Sequence, residues 1–438
     1  MTEYNQAQRK AFEDITLLLE LVRRCWTPED YYAVQQQLEE YIDCIDEAAE
    51  DAKQQKAEQE RKFYHRLGHQ YRTVGDAIAW QVYSFQALPI YVLGRNQFPG
   101  YRTRFKQKGL EEEKARIKTL WETYGAFALH HDCTNCLRVG DLSVFYPDRL
   151  TLPELEEVKV EGRKTDSRQK RRMRIASELA TNHYSIQDND YDLLHWTHTS
   201  SPITEVEQTN LGLLWQALQK AKEKGIGFAA NTYLAITVMD SRRFDTRPPE
   251  QVLQEWKETT SKMLSPDIWT SYCSDVLIKD SWERMAHPNI GVPYTVYPLP
   301  SPYVAAMVTG TILIHYRLNT DAITDAFRDA GFEAECLLGE WRRLGQYPPR
   351  KVKPPYFRVQ RGGISLPLEN LPIHQILFEG LQLKDFVESI VSCFDEEIWN
   401  RIPTSESPSQ RRSLHMLATY TNMEGIWASS RNYLLPIS

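Results

Sequence analysis

Gly140-Asp141 is followed, sixteen residues after the aspartate, by Glu157-Val158-Lys159. Two carboxylates brought together repel unless a cation lies between them. Their hard oxygens suit Mg²⁺ or Mn²⁺, which also hold waters and a phosphate oxygen. Such an ion generates hydroxide and offsets the charge that builds on a phosphate under attack. A neighbouring lysine stabilises that charge or orients the attacking water. Asp141, Glu157 and Lys159 are therefore the parts that phosphodiester hydrolysis requires. Asp141 and Glu157 are the expected metal ligands, and the expected cofactor is Mg²⁺ (or Mn²⁺).

Local sequence separates this tripeptide from its decoys. Glu60-Arg61-Lys62, Glu112-Glu113-Lys114 and Glu255-Trp256-Lys257 have the same spacing but lie in polar, helix-like surroundings. Leu155–Val160 reads instead as a strand, in which alternate side chains share a face. Leu155, Glu157 and Lys159 then point one way, while Val158 and Val160 anchor the other face on a core. Ala126–His130 and Leu142–Tyr146 read as the two preceding strands, with a turn at Pro147-Asp148. A hairpin between the second and third strands brings Asp141 to Glu157, and Gly140 lets the backbone bend there.

The segment from Lys159 to Arg174 holds eight basic and two acidic residues, within a chain of net charge -7. This local surplus is an electrostatic footprint for a phosphate backbone, and Arg163, Lys164, Arg168, Lys170, Arg171 and Arg172 are its expected contacts. On a helix from about Ser167 to Ala180, Gln169, Met173, Ala176 and Ala180 share one face. Gln169 is thereby directed toward the sheet, where it can position water or phosphate.

Gly140-Asp141, Glu157-Val158-Lys159 and the basic Arg168–Arg172 helix together resemble the PD-(D/E)XK, or restriction-endonuclease-like, nuclease superfamily. The resemblance covers roughly residues 75 to 182 and extends toward a strand at 233–239. It implies an α/β fold with an α-β-β-β-α-β core: a helix at 75–88, the three strands, the helix at 167–180 and the strand at 233–239. It implies metal-binding acids at Asp141 and Glu157, a catalytic lysine at Lys159 and a helix glutamine at Gln169. Many members carry a further acid on the first helix, and Asp76 is its counterpart here. The long stretch between Ala180 and Tyr233 departs from the pattern and requires an insertion. At family level the resemblance implies a (deoxyribo)nuclease, endonuclease action among the alternatives, DNA as the substrate and a place in anti-phage defence.

The rest of the chain frames this core. Residues 1–74 read as a helical segment: Ile15, Leu18, Leu19 and Val22 form an apolar stripe, and Thr27-Pro28-Glu29-Asp30 is a helix start. Asp51–Lys62 has almost no apolar face and reads as a solvated helix or arm. Pro89 is expected to break the helix of 75–88 before a short strand. The nuclease-like core is expected at 75–245 and a further α/β region of unreadable role at 246–438. His130-His131-Asp132-Cys133 leads into Cys136; a Cys-x-x-Cys beside histidines can bind zinc, but no second pair follows at matching spacing. Packing is the expected role of that segment.

Of the 438 residues 42% are hydrophobic and 25% charged, ordinary values for a globular protein. The polar N-terminus and the seven cysteines point to a cytoplasmic protein with reduced thiols and no membrane partner. No P-loop, dinucleotide fingerprint, His-Glu-x-x-His or Gly-x-Ser-x-Gly occurs. Two other readings remain open: a nucleic-acid-binding module on a nuclease-like scaffold that no longer cuts, and a scaffold protein. In the latter, a protein partner or a second copy docks on the N-terminal helices or the C-terminal region.

Overall fold

The computed structural model describes residues 3–85, 87–94, 109–147, 153–158, 173, 186–188, 191–194, 200–202, 209–244, 254, 258, 276–277, 294–336, 357–362, 364–368, 376, 381–392 and 420–422. The fold is mixed α/β, with small, mostly antiparallel sheets. Two compact units divide the chain: residues 1–182 with 280–310, and residues 183–279 with 311–438.

The first unit opens with three long helices, α1 (Glu3–Arg24), α2 (Pro28–Gln54) and α3 (Glu58–Val82). Ile15, Leu18, Leu19 and Val22 of α1 are all buried, as the stripe predicts. Each such side chain contributes about 1.5–3 kcal/mol on burial. Thr27 and Asp30 form a reciprocal capping box at the start of α2, with Pro28 in the first turn. Residues 51–62 are mostly exposed and helical at both ends, as a solvated helix requires, but the stretch is not continuous: α2 ends at Gln54, Lys56 turns the chain with a positive φ, and α3 begins at Glu58.

The second half of α3 is the centre of this unit, since every residue from Leu67 to Gln81 is buried. A domain boundary at 74/75 would cut this helix, so the N-terminal helices and the core that follows form one body. Gly75 makes the packing possible: a Cβ there would overlap the Cys133 carbonyl oxygen. Several polar side chains within the buried run have partners. Arg72 pairs with Asp46 at 3.2 Å and donates to the Asp132 carbonyl, and His69 meets the Asn135 side chain at 2.9 Å. Beyond α3, Ser84 and Phe85 turn the chain at positive φ. The following segment is helix α4 (Ala87–Gly94), not the expected strand. Pro89 occupies its first turn, where no N–H is needed.

Helix α5 (Leu110–Tyr124) starts and stops on the left-handed glycines Gly109 and Gly125 and has three glutamates in its first turn. It precedes strand β1 (Phe127–His130), which pairs with β2 (Leu142–Phe145), itself paired with β3 (Glu154–Glu156). Both pairings are antiparallel, with His130 opposite Leu142 and Leu142 opposite Glu156. One sheet face packs Ala128, Leu142 and Val144 onto Ile117 and Leu120 of α5, and Val158 joins that core.

In the second unit, strands Ile226–Ala230, Leu234–Asp240, Ile312–Leu318 and Val276–Leu277 form an antiparallel sheet in that order. This corrects the expected place of the strand at 233–239. It does not extend β1–β3 but pairs with its own neighbours. The cause is local: Asn231 Oδ1 accepts the N–H groups of Tyr233 and Leu234, closing a tight turn that folds the strand back on Ile226–Ala230. Gly227 allows helix Leu211–Lys224 to approach, since a Cβ there would overlap the Ala217 carbonyl oxygen. A further antiparallel sheet joins Glu333–Cys336, Phe357–Arg361 and Ile364–Leu368.

Candidate active site

Asp141 ends the loop from β1 to β2 and meets the end of β3. Its N–H donates to the Glu156 carbonyl at 2.9 Å, and its Oδ2 accepts the Val158 N–H at 2.8 Å. The first bond lies just beyond the last ladder pair, Leu142 opposite Glu156, and prolongs the contact between the two strands. The two bonds together clamp the backbone on both sides of Glu157. Asp141 and Glu157 are half-buried, reachable from solvent yet held by the sheet. The hairpin argument thus brings these two residues together, as their spacing predicts.

The strand is shorter than the expected Leu155–Val160: β3 ends at Glu156, while Glu157 and Val158 follow it outside the strand, and residues 159–160 lie outside the described residues. Val158 is on the core face, and so is Glu156, whose carboxylate takes both Arg116 contacts from α5, at 2.6 and 3.0 Å. That ion pair ties β3 to α5 next to the candidate site. Gly140 has φ +80°, a left-handed conformation that favours glycine. A Cβ on it would lie 3.3 Å from the Glu156 carbonyl and 3.6 Å from Met173 Cε. Met173 is helical and half-buried. It belongs to the basic segment and, by its spacing, shares the helix face assigned to Gln169.

Lys159, Arg163, Lys164, Arg168, Gln169, Lys170, Arg171 and Arg172 lie outside the described residues. Asp76 is placed, and its bonds are structural. It is fully buried and accepts the N–H groups of Asn135 (2.6 Å) and Cys136 (2.9 Å), together with Asn135 Nδ2 (3.2 Å). Burial raises its pKa, while these donors pull it down. It holds the β1–β2 loop in shape for Asp141.

Sequence reasoning missed a buried chain beneath that loop. His131 Nδ1 lies 3.0 Å from the Gly140 carbonyl, His131 Nε2 lies 2.6 Å from Ser143 Oγ, and Ser143 Oγ lies 2.8 Å from Tyr83 Oη. A carbonyl only accepts, so Nδ1 carries the hydrogen. Burial pushes the His131 pKa down to about 3, so the ring is neutral and Nε2 accepts. Ser143 must then donate to His131, and Tyr83 to Ser143. All three residues are buried, so the chain orients Gly140-Asp141 and is not itself a nucleophile–base pair. The adjacent histidines in the sequence were its only available signal.

A second cluster surrounds His130 at the end of β1. Its Nδ1 lies 2.9 Å from Glu39 Oε1 and its Nε2 lies 2.8 Å from Glu113 Oε2. The thiols of Cys133 and Cys136 diverge: Cys133 meets Glu39 and Cys136 meets Asp76. The Cys-x-x-Cys pair therefore does not act as one.

No family model, curated protein or solved structure matches this chain. Among the described residues no helix is long and apolar enough to cross a membrane.

Proposed function

We propose that this chain is a metal-dependent nuclease that hydrolyses phosphodiester bonds, with DNA as its substrate and a restriction-endonuclease-like core formed by α3, β1–β3 and the basic segment after β3. The observation that carries this reading is the pair of bonds from Asp141 to Glu156 and Val158, which brackets Glu157. Carboxylates on two residues that neighbour each other across a half-buried sheet edge are a donor set that fits a hard divalent cation such as Mg²⁺ or Mn²⁺. When bound, that ion supplies a nucleophilic hydroxide and positive charge at the phosphate.

The chain's own residues have distinct parts in this reading. Asp141 and Glu157 hold the ion. Lys159 follows Glu157 at the spacing of one strand face and meets the charge that develops on the phosphate. Gln169 positions water or phosphate from the helix face that Met173 lays against Gly140. Arg163, Lys164, Arg168, Lys170, Arg171 and Arg172 engage the nucleic-acid backbone, which makes binding salt-dependent. A role in anti-phage defence agrees with the resemblance to nucleases of that kind.

Cleavage of supercoiled plasmid with Mg²⁺, with Mn²⁺ and with EDTA, wild type against Glu157→Ala, tests the proposal. Metal-dependent nicking that the variant lacks is the expected result. Equal nicking by both proteins would overturn the assignment of the site. Salt-dependent DNA binding without cleavage would favour a binding module on the same scaffold.

A further inference from the structure

We infer that Glu39, His130 and Cys133 form a zinc-type cation site, separate from the Asp141–Glu157 pair. Glu39 Oε1, His130 Nδ1 and Cys133 Sγ lie within 4.8 Å of one another. His130 and Cys133 are buried, and the Glu39 side chain is 12% exposed. This is a mixed N, O and S donor set, which borderline-soft Zn²⁺ prefers to Mg²⁺.

Hydrogen-bond accounting leaves a place for the ion. Two carboxylates face one imidazole, Glu39 on Nδ1 and Glu113 on Nε2. A neutral ring has one N–H to offer and an imidazolium two; without metal the second carboxylate is met by the second ring proton, and a cation at that nitrogen takes this proton's place. If Nε2–H donates to Glu113, the cation belongs at Nδ1, beside the Cys133 sulfur. The result is a carboxylate–histidine–metal arrangement, in which the second carboxylate fixes the tautomer and orientation of the ligating ring.

The spacing fits. Cys133 Sγ lies 3.5 Å from Glu39 Oε1. Zinc bonds of about 2.3 Å to sulfur and about 2.0 Å to oxygen, at a tetrahedral angle, give an edge of about 3.5 Å. The ligands are also held before any ion arrives. Gln35, one turn before Glu39 on α2, donates to the Ala128 carbonyl and accepts the His130 N–H, both at 3.0 Å. Lys114, next to Glu113, bridges α5 to Asp43 of α2 at 2.6 Å. On binding, the protons on the Cys133 thiol and His130 Nδ1 pass to solvent as Zn–S and Zn–N bonds form. Three protein ligands leave a fourth position for water or a further donor.

Cobalt reports thiolate ligation directly. Full-length protein dialysed against EDTA is titrated with Co²⁺ and followed by near-ultraviolet absorbance, after elemental analysis of the protein as purified. The expected result is a thiolate-to-cobalt charge-transfer band that saturates at one ion per chain and disappears on adding Zn²⁺. Cys133→Ser should lose the band, Glu113→Gln should weaken metal affinity by about 10–100-fold, and Glu157→Ala should leave both unchanged. Thermal melts of each variant show that it is folded. A wild-type protein without the band, or a Cys133→Ser variant that keeps it, overturns the inference. Bandless binding abolished by Asp132→Ala also overturns it, because the ion would then lie on the Nε2 side with Glu113 and Asp132.

Discussion

The Asp141 carboxylate accepts the backbone N–H of Val158 at 2.8 Å, so one side chain both pins the open end of the β2–β3 hairpin and stands next to Glu157. The two jobs can be separated. An asparagine side chain in place of Asp141 would still present an oxygen to the Val158 N–H but would lose the charge that the proposed metal site requires. Asp141→Asn should therefore keep the urea midpoint close to wild type while abolishing Mg²⁺-dependent plasmid nicking. Asp141→Ala should lose nicking and also destabilise the fold by about 1–3 kcal/mol, because the Val158 N–H loses its acceptor. Nicking at the wild-type rate by Asp141→Asn would remove Asp141 from the metal site.

The chain from Tyr83 through Ser143 to His131 has a fixed direction, and direction predicts unequal costs. Tyr83→Phe removes a donor to Ser143, but Ser143 can still donate to His131. Ser143→Ala strands both the Tyr83 hydroxyl and His131 Nε2 in a buried site. Urea denaturation should show Ser143→Ala costing about 1–3 kcal/mol and Tyr83→Phe costing less, about 1 kcal/mol. A larger loss for Tyr83→Phe would reverse the inferred order of donors.

The legible parts of this chain were those set by short-range patterning. The α1 stripe, the capped start of α2, the three short strands and the meeting of Asp141 with Glu157 all follow from residue spacing within one or two elements. The failures had longer-range causes. Residues 75–88 read as a separate helix because their apolar character rises there, yet α3 runs through this point because Gly75 lets the helix press onto Cys133. The strand at 233–239 lies in a different sheet from the one expected, because an apolar run carries no information about its partner. Glu39 and Glu113 had no signal at all. Each sits in a polar helical stretch, and only the packing of α2 and α5 against β1 brings them to His130.

Buried histidines give a pH dependence of defined sign. Burial pushes His69 down to about 4 and His131 down to about 3, against an ordinary value near 6.5. Below pH 6.5 the unfolded chain takes up protons that the folded chain refuses. The stability present above pH 6.5 is therefore lost progressively as pH falls toward 4, with a slope of up to about 1.4 kcal/mol per pH unit for each histidine. The urea midpoint should fall between about pH 7 and pH 5, before most carboxylates titrate. His69→Gln should lower stability overall but flatten that slope by one proton. A midpoint that rises on acidification over this range would contradict the burial of both rings.

Asp76 decides between two readings of one acid. The nuclease resemblance assigns the first-helix acid to the metal site, whereas its hydrogen bonds from Asn135 and Cys136 assign it to the β1–β2 loop. An asparagine in place of Asp76 has a single acceptor oxygen, and its amide N–H groups would face the Asn135 side chain or the loop amides as donor against donor. A buried group left without its hydrogen-bond partner costs about 1–3 kcal/mol, so Asp76→Asn should lower the urea midpoint clearly. At a temperature where the variant is still folded, its nicking rate per folded molecule should stay within a few-fold of wild type. An unchanged midpoint with nicking lost would return Asp76 to the metal site. The loop would then have to be held by the Tyr83–Ser143–His131 chain without it. Measuring both quantities on Asp76→Asn and Ser143→Ala separates these cases, since a loop anchor must cost stability before it costs chemistry.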